Sequence, residues 1–507
     1  MGYLLGIDIG TSGTKTVLFT EKGEVIASHT AFYPLFQPYN GWAEQNPQDW
    51  WNAVKEGISA VLSSSAVKGT QITGIGLSGQ MHGLVLLDKE NLVLRPAILW
   101  CDQRTGEECR EITCRVGERR LLSITANPAL TGFTASKILW VRNHEPEIYE
   151  KIRHILLPKD YIRYCLTGEF ATEVSDGSGM QLMDIAGRCW SDEVLSLLNI
   201  EKSLLPRLYE SVEISGRVTE KAASQTGLCA GTPVAGGGGD NAAAAVGCGV
   251  VQEGRAFTTI GTSGVVYAHT NTPAIDGEGR VHTFCCAVPG AWHVMGVTQA
   301  AGLSLQWFRD QFCKEEMERA LHQKIDPYIL MDEEAGQIPI GADRLLYLPY
   351  LMGERTPHKD PNCRGVFFGL SAMHTRAHLI RAVMEGVAFS MADCMDILRE
   401  MKIEVTQMMV TGGGAKSLLW RQMLSDLYGC PVTALSSQGP ALGAAILAGV
   451  GCGIFKCVED GCSQMVPKAG EPARPAGENT REYQPYLKLY RKLYRDLKQD
   501  FVTLTEI

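Results

Sequence analysis

Two stretches far apart in the chain repeat one pattern of apolar and polar positions. Leu4 to Phe19 reads LLGIDIGTSGTKTVLF and Ala256 to Ala268 reads AFTTIGTSGVVYA, so an apolar run, a Gly-Thr-Ser-Gly turn and a second apolar run occur twice. Apolar runs on either side of a short glycine-rich turn predict a β-hairpin in each half. The turns are made of glycines and hydroxyls, the composition needed where backbone N–H groups must come close to a phosphate. Two such hairpins facing each other would clamp a nucleotide.

Around the first copy, residues 1–30 predict a hairpin and a third strand, Gln48 to Leu62 an amphipathic helix, and Ile72 to Leu77 a strand. This alternation gives a mixed α/β sheet with helices on its faces. The segment from about Arg110 to Val234 is less regular, with candidate helices at Ser136 to Asn143 and Lys159 to Leu166, and reads as an insertion that carries specificity. The run Val234 to Val246 then places four glycines before a small-residue helix, with Asp240 at the helix N-terminus; local sequence alone also allows Asp240 to be a simple cap. In the second half, Thr298 to Arg309 predicts a helix start, Leu345 to Leu348 a strand and Thr375 to Glu400 a long helix. Met408 to Lys416 predicts a strand running into a glycine turn. Residues 466–480 form a Pro/Gly linker, and Tyr486 to Phe501 a terminal helix docked through Leu489, Leu493 and Leu497. The expected division is 1–250, 251–465, the linker, and a terminal helix over 481–507.

Composition narrows the function. The chain has 507 residues, 45% hydrophobic and 20% charged, as in ordinary globular proteins. A net charge of −9 without a Lys/Arg run excludes a nucleic-acid footprint. No stretch is apolar enough to span a membrane, and the N-terminus has no signal-like region, so a cytoplasmic location is expected. The 16 cysteines include no C-x-x-C pair and are read as reduced thiols. His374 and His378 lack the intervening Glu of a metalloprotease and are read as solvated or capping residues. No lysine follows a glycine, which excludes a Walker A loop, and no serine sits in G-x-S-x-G. Gly74 to Gly79 fits G-x-G-x-x-G, but a turn and a strand follow it where a Rossmann fingerprint needs a helix.

The two hairpins differ at one position. Asp8 in the first aligns with Thr259 in the second. A carboxylate among phosphate-binding groups would repel them unless a divalent cation, Mg²⁺, bridges the two.

Longer motifs carry a resemblance. Gly132-Phe-Thr-Ala-Ser-Lys137-Ile-Leu-Trp140-Val-Arg-Asn-His144, and Gly365-Val-Phe-Phe-Gly369-Leu followed by His378-Leu-Ile-Arg-Ala-Val-Met-Glu385, resemble the two signatures of the FGGY family of carbohydrate kinases. That family shares its duplicated, ribonuclease-H-like fold with hexokinase, actin and the heat-shock chaperone ATPases. Six further segments are similar to its xylulose-specific branch: Trp42 to Pro47, Gly79 to Gly83, Arg95 to Trp100, Leu156 to Asp160, Gly236 to Val246 and Leu348 to Pro357. The likeness runs essentially end to end.

The resemblance implies two α/β domains with a cleft between them and ATP-dependent phosphorylation of D-xylulose at its terminal hydroxyl, in pentose catabolism. Asp240 would be the catalytic base, its ionised form favoured at the helix N-terminus. Asp8 would orient Mg²⁺. Thr11 and Ser12 would form the first phosphate loop and Gly261 and Thr262 the second, with Lys15 adding charge. Gly302 and Gln306 would lie near the nucleotide, and Gly412, Gly413 and Gly414 would receive adenosine. Met81, His82, Trp100 and Asn241 would bind the sugar, an aromatic wall with polar partners suiting a polyhydroxylated ligand. The expected partners are ATP and a ketopentose, and family analogy suggests a homodimer. Ribulose, fuculose or glycerol are alternative acceptors, and a non-transferring ATP-driven switch or a sugar sensor is the alternative in another class.

Overall fold

The computed structural model describes residues 2–435 and 439–507, and two sheets of like topology organise it. In the first half, β1 (Tyr3–Ile9) and β2 (Gly13–Thr20) form the expected hairpin and β3 (Val25–Phe32) adds to it antiparallel. β4 (Ile72–Gly79) then runs parallel to β1. Beyond it lie β5 (Ile214–Arg217), β6 (Pro233–Ala235) and β7 (Gly238–Gly239), with β6 and β7 parallel to β4. The sheet order is β5–β6–β4–β1–β2–β3.

The second half repeats the plan. β8 (Gly254–Ile260) and β9 (Gly264–Thr270) form the second hairpin, β10 (His282–Cys285) and β11 (Trp292–Thr298) extend it antiparallel, and β12 (Val405–Thr411) and β13 (Val432–Ala434) run parallel to β8. Their order is β10–β11–β9–β8–β12–β13.

Strands buried on both faces explain the apolar runs. Leu5, Ile7 and Ile9 pack with Trp50, Val54 and Ile58 of the helix Pro47–Ser65 on one face. Leu4 meets the helix Pro440–Gly451 on the other. That helix comes so close that a Cβ on Gly6 would lie 2.0 Å from Ala441 O, and one on Gly76 1.8 Å from Ala444 O. The same helix packs against Asp240–Gly247, where a Cβ on Gly443 would lie 1.8 Å from Ala243 O. Small residues thus fasten the end of the second half to the first sheet and to the helix headed by Asp240.

Three local expectations need correction. Thr298 does not start a helix: it ends β11, paired with Gly264, and the helix begins at Gly302. The terminal helix spans Gly477–Glu506, so its first turn takes up the end of the expected linker. It buries Tyr483, Leu487, Tyr490, Leu493, Tyr494 and Phe501, while Leu489 is 38% exposed, because the tyrosines set the buried face. His378 completes a capping box with Thr375, the capping alternative of the two left open for it. Among the described residues no helix is long and apolar enough to cross a membrane.

Candidate active site

A cavity of about 670 Å³ opens between the halves where the two hairpins face each other. Asp8, Lys15, Asp240 and Asn241 line it from the first half, and Thr259, Thr411, Gly412 and Lys416 from the second. Asp8 stands opposite Lys15 across the hairpin and opposite Ser78 on β4. Burial pushes its carboxyl up to about 6, against the opposing pull of Ser78 and Lys15. Its Oδ1 is buried without a hydrogen-bond partner. No group of three or more His, Cys, Asp or Glu side chains among the described residues could enclose a metal ion by itself. A carboxyl that lines the cavity and keeps one oxygen without a protein partner fits Mg²⁺ held largely through water and phosphate oxygens.

Asp240 is the first residue of its helix. Its Oδ1 accepts the Asn241 backbone N–H at 2.7 Å and the Asn241 side-chain amide at 2.9 Å, leaving Oδ2 without a protein partner among the described residues. The helix N-terminus was expected to favour the ionised form, but the structure reverses this. Burial first, and the Asp8 charge second, raise the carboxyl to about 7 despite the Asn241 bonds. A carboxylate poised near neutrality suits a group that must take up a proton.

The first Gly-Thr-Ser-Gly turn is held from four separate segments. Tyr33 donates to Gly10 O at 2.5 Å, Gln45 to Thr11 O at 2.7 Å, Gln80 to Gln45 Oε1 at 3.0 Å, and Trp100 Nε1 to Thr11 Oγ1 at 3.0 Å. Trp100, expected as an aromatic wall of the sugar site, thus spends its indole N–H on this turn. Ser12 is exposed at the tip. The second loop is stapled to the following helix instead, with Ala301 N donating to Thr262 O at 3.0 Å and Gly302 N to Gly261 O at 2.7 Å.

A second cavity, about 560 Å³, lies on the second half alone. It brings together Gly261, Thr262, Gly302, Gln306, Gly413 and Gly414, all expected at the nucleotide. Lys416 borders both cavities, so the glycine turn after β12 joins them. Sequence reasoning missed Lys416 and Arg421 in the first cavity, and Tyr328 and Asp332 in the second. Only Lys416 carried a signal, as the end of the Gly-Gly-Gly-Ala-Lys segment.

Met81 and His82 line neither cavity. Met81 packs against Gly239, where a Cβ would be 2.9 Å from Met81 Cγ. His82 has a left-handed backbone, φ 67°, with its carbonyl bonded by Thr134 Oγ1 and Lys137 Nζ, each at 3.0 Å. Its Nδ1 lies 3.0 Å from Gly179 O, so Nδ1 carries the proton and Nε2 can only accept. Burial, then the Lys137 charge, lowers the imidazole to about 3, so it stays neutral.

Residues 3–247 match the FGGY family of carbohydrate kinases, N-terminal domain, and residues 256–452 its C-terminal domain. A xylulose kinase of Bacillus subtilis (strain 168) is 41% identical over 98% of this chain and 98% of its own. One of Escherichia coli (strain K12) is 40% identical over 97% and 99%. A gluconokinase of Bacillus subtilis (strain 168) is 32% identical over 99% and 98%. The crystal structure of a xylulose kinase from Rhodospirillum rubrum superposes with a TM-score of 0.91 at 29% identity, covering 98% of this chain and 99% of that one.

Proposed function

The chain belongs to the FGGY family of carbohydrate kinases, and from that premise we propose that it transfers the γ-phosphoryl group of ATP to the terminal hydroxyl of D-xylulose, giving D-xylulose 5-phosphate. The observation that carries this reading is the shared cavity lined by Asp8, Lys15, Asp240 and Asn241 from one half and by Thr259, Thr411, Gly412 and Lys416 from the other.

In this reading the turn Gly412 to Gly414, with Gly302 and Gln306, receives adenosine. The two Gly-Thr-Ser-Gly loops hold the phosphates with backbone N–H groups, supported by Lys15 and Lys416. Bound at Asp8, Mg²⁺ would neutralise phosphate charge during transfer. His82 accepts a hydrogen bond from a sugar hydroxyl through Nε2, and Asn241 holds Oδ1 of Asp240. Asp240 takes the proton of the acceptor hydroxyl as that oxygen bonds to phosphorus, the bond from phosphorus to the bridging oxygen breaks, and ADP leaves. Closure of the halves would exclude water that competes as an acceptor.

The full-length likeness to a gluconokinase favours a second reading, in which the acceptor is another sugar or polyol. A panel of pentuloses, hexuloses, gluconate and glycerol, followed by coupled ADP detection, separates the two. D-xylulose is expected to give the highest kcat/KM; a higher value with any other acceptor replaces the substrate and leaves the family assignment in place.

A further inference from the structure

The glycine run that delivers Asp240 to the cavity is fastened at both ends by a buried charge cluster that takes no part in phosphoryl transfer. The side chains of Lys159, Asp160, Arg163, Glu173 and Asp176 are all 0% exposed. Lys159 Nζ lies 2.8 Å from Asp160 Oδ1, 3.5 Å from Asp176 Oδ2 and 3.6 Å from Glu173 Oε1. Burying three carboxylates with two cations is costly, and well-packed apolar residues would often serve stability as well. Stability alone is therefore a poor account of the cluster.

Its contacts give a better one. At the start of the run Arg163 donates to Ala235 O at 2.7 Å and to Gly236 O at 2.5 Å. At the end, Gly239 N–H donates to Ser175 Oγ at 3.1 Å. Ser175 can accept that bond because its own proton goes to Glu173 Oε1 at 2.9 Å. Glu173 is fixed in turn, accepting from Asp176 N at 2.9 Å, Ser175 N at 2.7 Å and Ser211 Oγ at 2.9 Å. All four hydrogen bonds on Glu173 come from backbone N–H or hydroxyl donors, so its oxygens accept throughout and the polarity of the whole chain of bonds is set.

We propose that Glu173 and Ser175 are positioning residues for Asp240: the carboxylate orients the Ser175 hydroxyl, which holds the Gly239 N–H and so sets where the Asp240 carboxylate meets the acceptor hydroxyl. The proposal rests on the reading of Asp240 as the proton acceptor. Neither residue touches substrate.

A kinetic double-mutant cycle of Ser175→Ala and Glu173→Gln, with Asp240→Asn as reference, tests it. Glu173→Gln keeps the shape, but its amide donates where the carboxylate only accepted, freeing Ser175 to turn its proton toward Gly239. Since a misplacement of about 1 Å costs on the order of 10²-fold, each variant is expected to lower kcat by about 10–10²-fold. KM for ATP should stay within about twofold, the signature of a loss confined to the transition state. The double variant should be no slower than the slower single, because both act through one bond. Hydrogen exchange of the peptide spanning 236–241 should rise in both. If Ser175→Ala does not fold, Glu173→Gln alone decides by the same kcat reading. Parental kcat in the folded variants beside an inactive Asp240→Asn, or losses that multiply in the double variant, overturns the proposal. Normal turnover in Asp240→Asn removes the base reading itself, and the positioning role with it.

Discussion

The two hairpins hold equivalent places in the duplicated fold and present different groups from them. Asp8 faces Lys15 across the first hairpin and Ser78 on the neighbouring parallel strand. Thr259 faces Val265 and Thr411 in the second, the two threonine hydroxyls 3.0 Å apart. The strand ends beside them diverge in the same way. After Ser78 the chain continues through Gln80, Met81 and His82; after Thr411 it continues as Gly412, Gly413 and Gly414. The helices that follow are headed by Asp240 in one half and by Gly439 and Pro440 in the other. The scaffold thus supplies position, and whether a side chain or bare backbone fills it decides the chemistry. In the proposed reading the side chains of the first half serve metal, sugar and proton, and the backbone of the second serves the nucleotide.

The contrast breaks most visibly at the head of the first helix. Asp240→Asn should lower kcat by about 10²–10⁴-fold, the range for losing a general base, with KM for ATP little changed. Steady-state kinetics on the purified variant reads this, and near-normal turnover would place the proton acceptor elsewhere. In the unaltered protein, Asp240 must be ionised to act and holds its proton up to about pH 7. Lowering the pH below that point removes the active form, so kcat/KM for the sugar should level off above 7, fall about tenfold per unit just below it, and fall more steeply below about 6, where Asp8 also takes up a proton. His82, neutral down to about 3, adds no limb to the profile in this range. A flat profile between pH 5 and 8 would show that burial and Asp8 do not govern the base.

Smaller effects sharpen the nucleotide side. An added Cβ on Gly413 meets no protein atom within 4 Å, and the residue borders the second cavity. Gly413→Ala should therefore raise KM for ATP about three- to tenfold by intruding on ligand, with kcat and thermal stability unchanged, the pattern of lost uniform binding. An unchanged KM would remove this turn from the nucleotide site. Thr259→Val deletes the bond to Thr411 and should cost stability about 1 kcal/mol, read by denaturant unfolding, with kcat altered less than about twofold. A large loss of kcat there would end the asymmetry between the hairpins.

The hairpins and the glycine turn were legible in the sequence because their signals are local: apolar runs, a short turn, and glycines where backbone must be bare. The ionisation of Asp240 was not. Its helix position pointed to an ionised acid, but burial and Asp8, remote in sequence, prevail. The bonds that hold the first loop were hidden for the same reason, since Tyr33, Gln45, Gln80 and Trp100 converge only in the folded chain. Thr298 was misread because a strand buried on both faces lacks the alternation that marks it. Leu489 was misread because one position along a helix turns a side chain from the buried face toward solvent.

The most direct test of the divided site is ADP formation by the unaltered protein with and without D-xylulose. If the first half supplies the acceptor and its base while the second holds the nucleotide, ADP should appear only with sugar, one for each sugar phosphate formed. The same rate of ADP formation in the absence of any sugar would contradict this account and point to an ATP-driven switch.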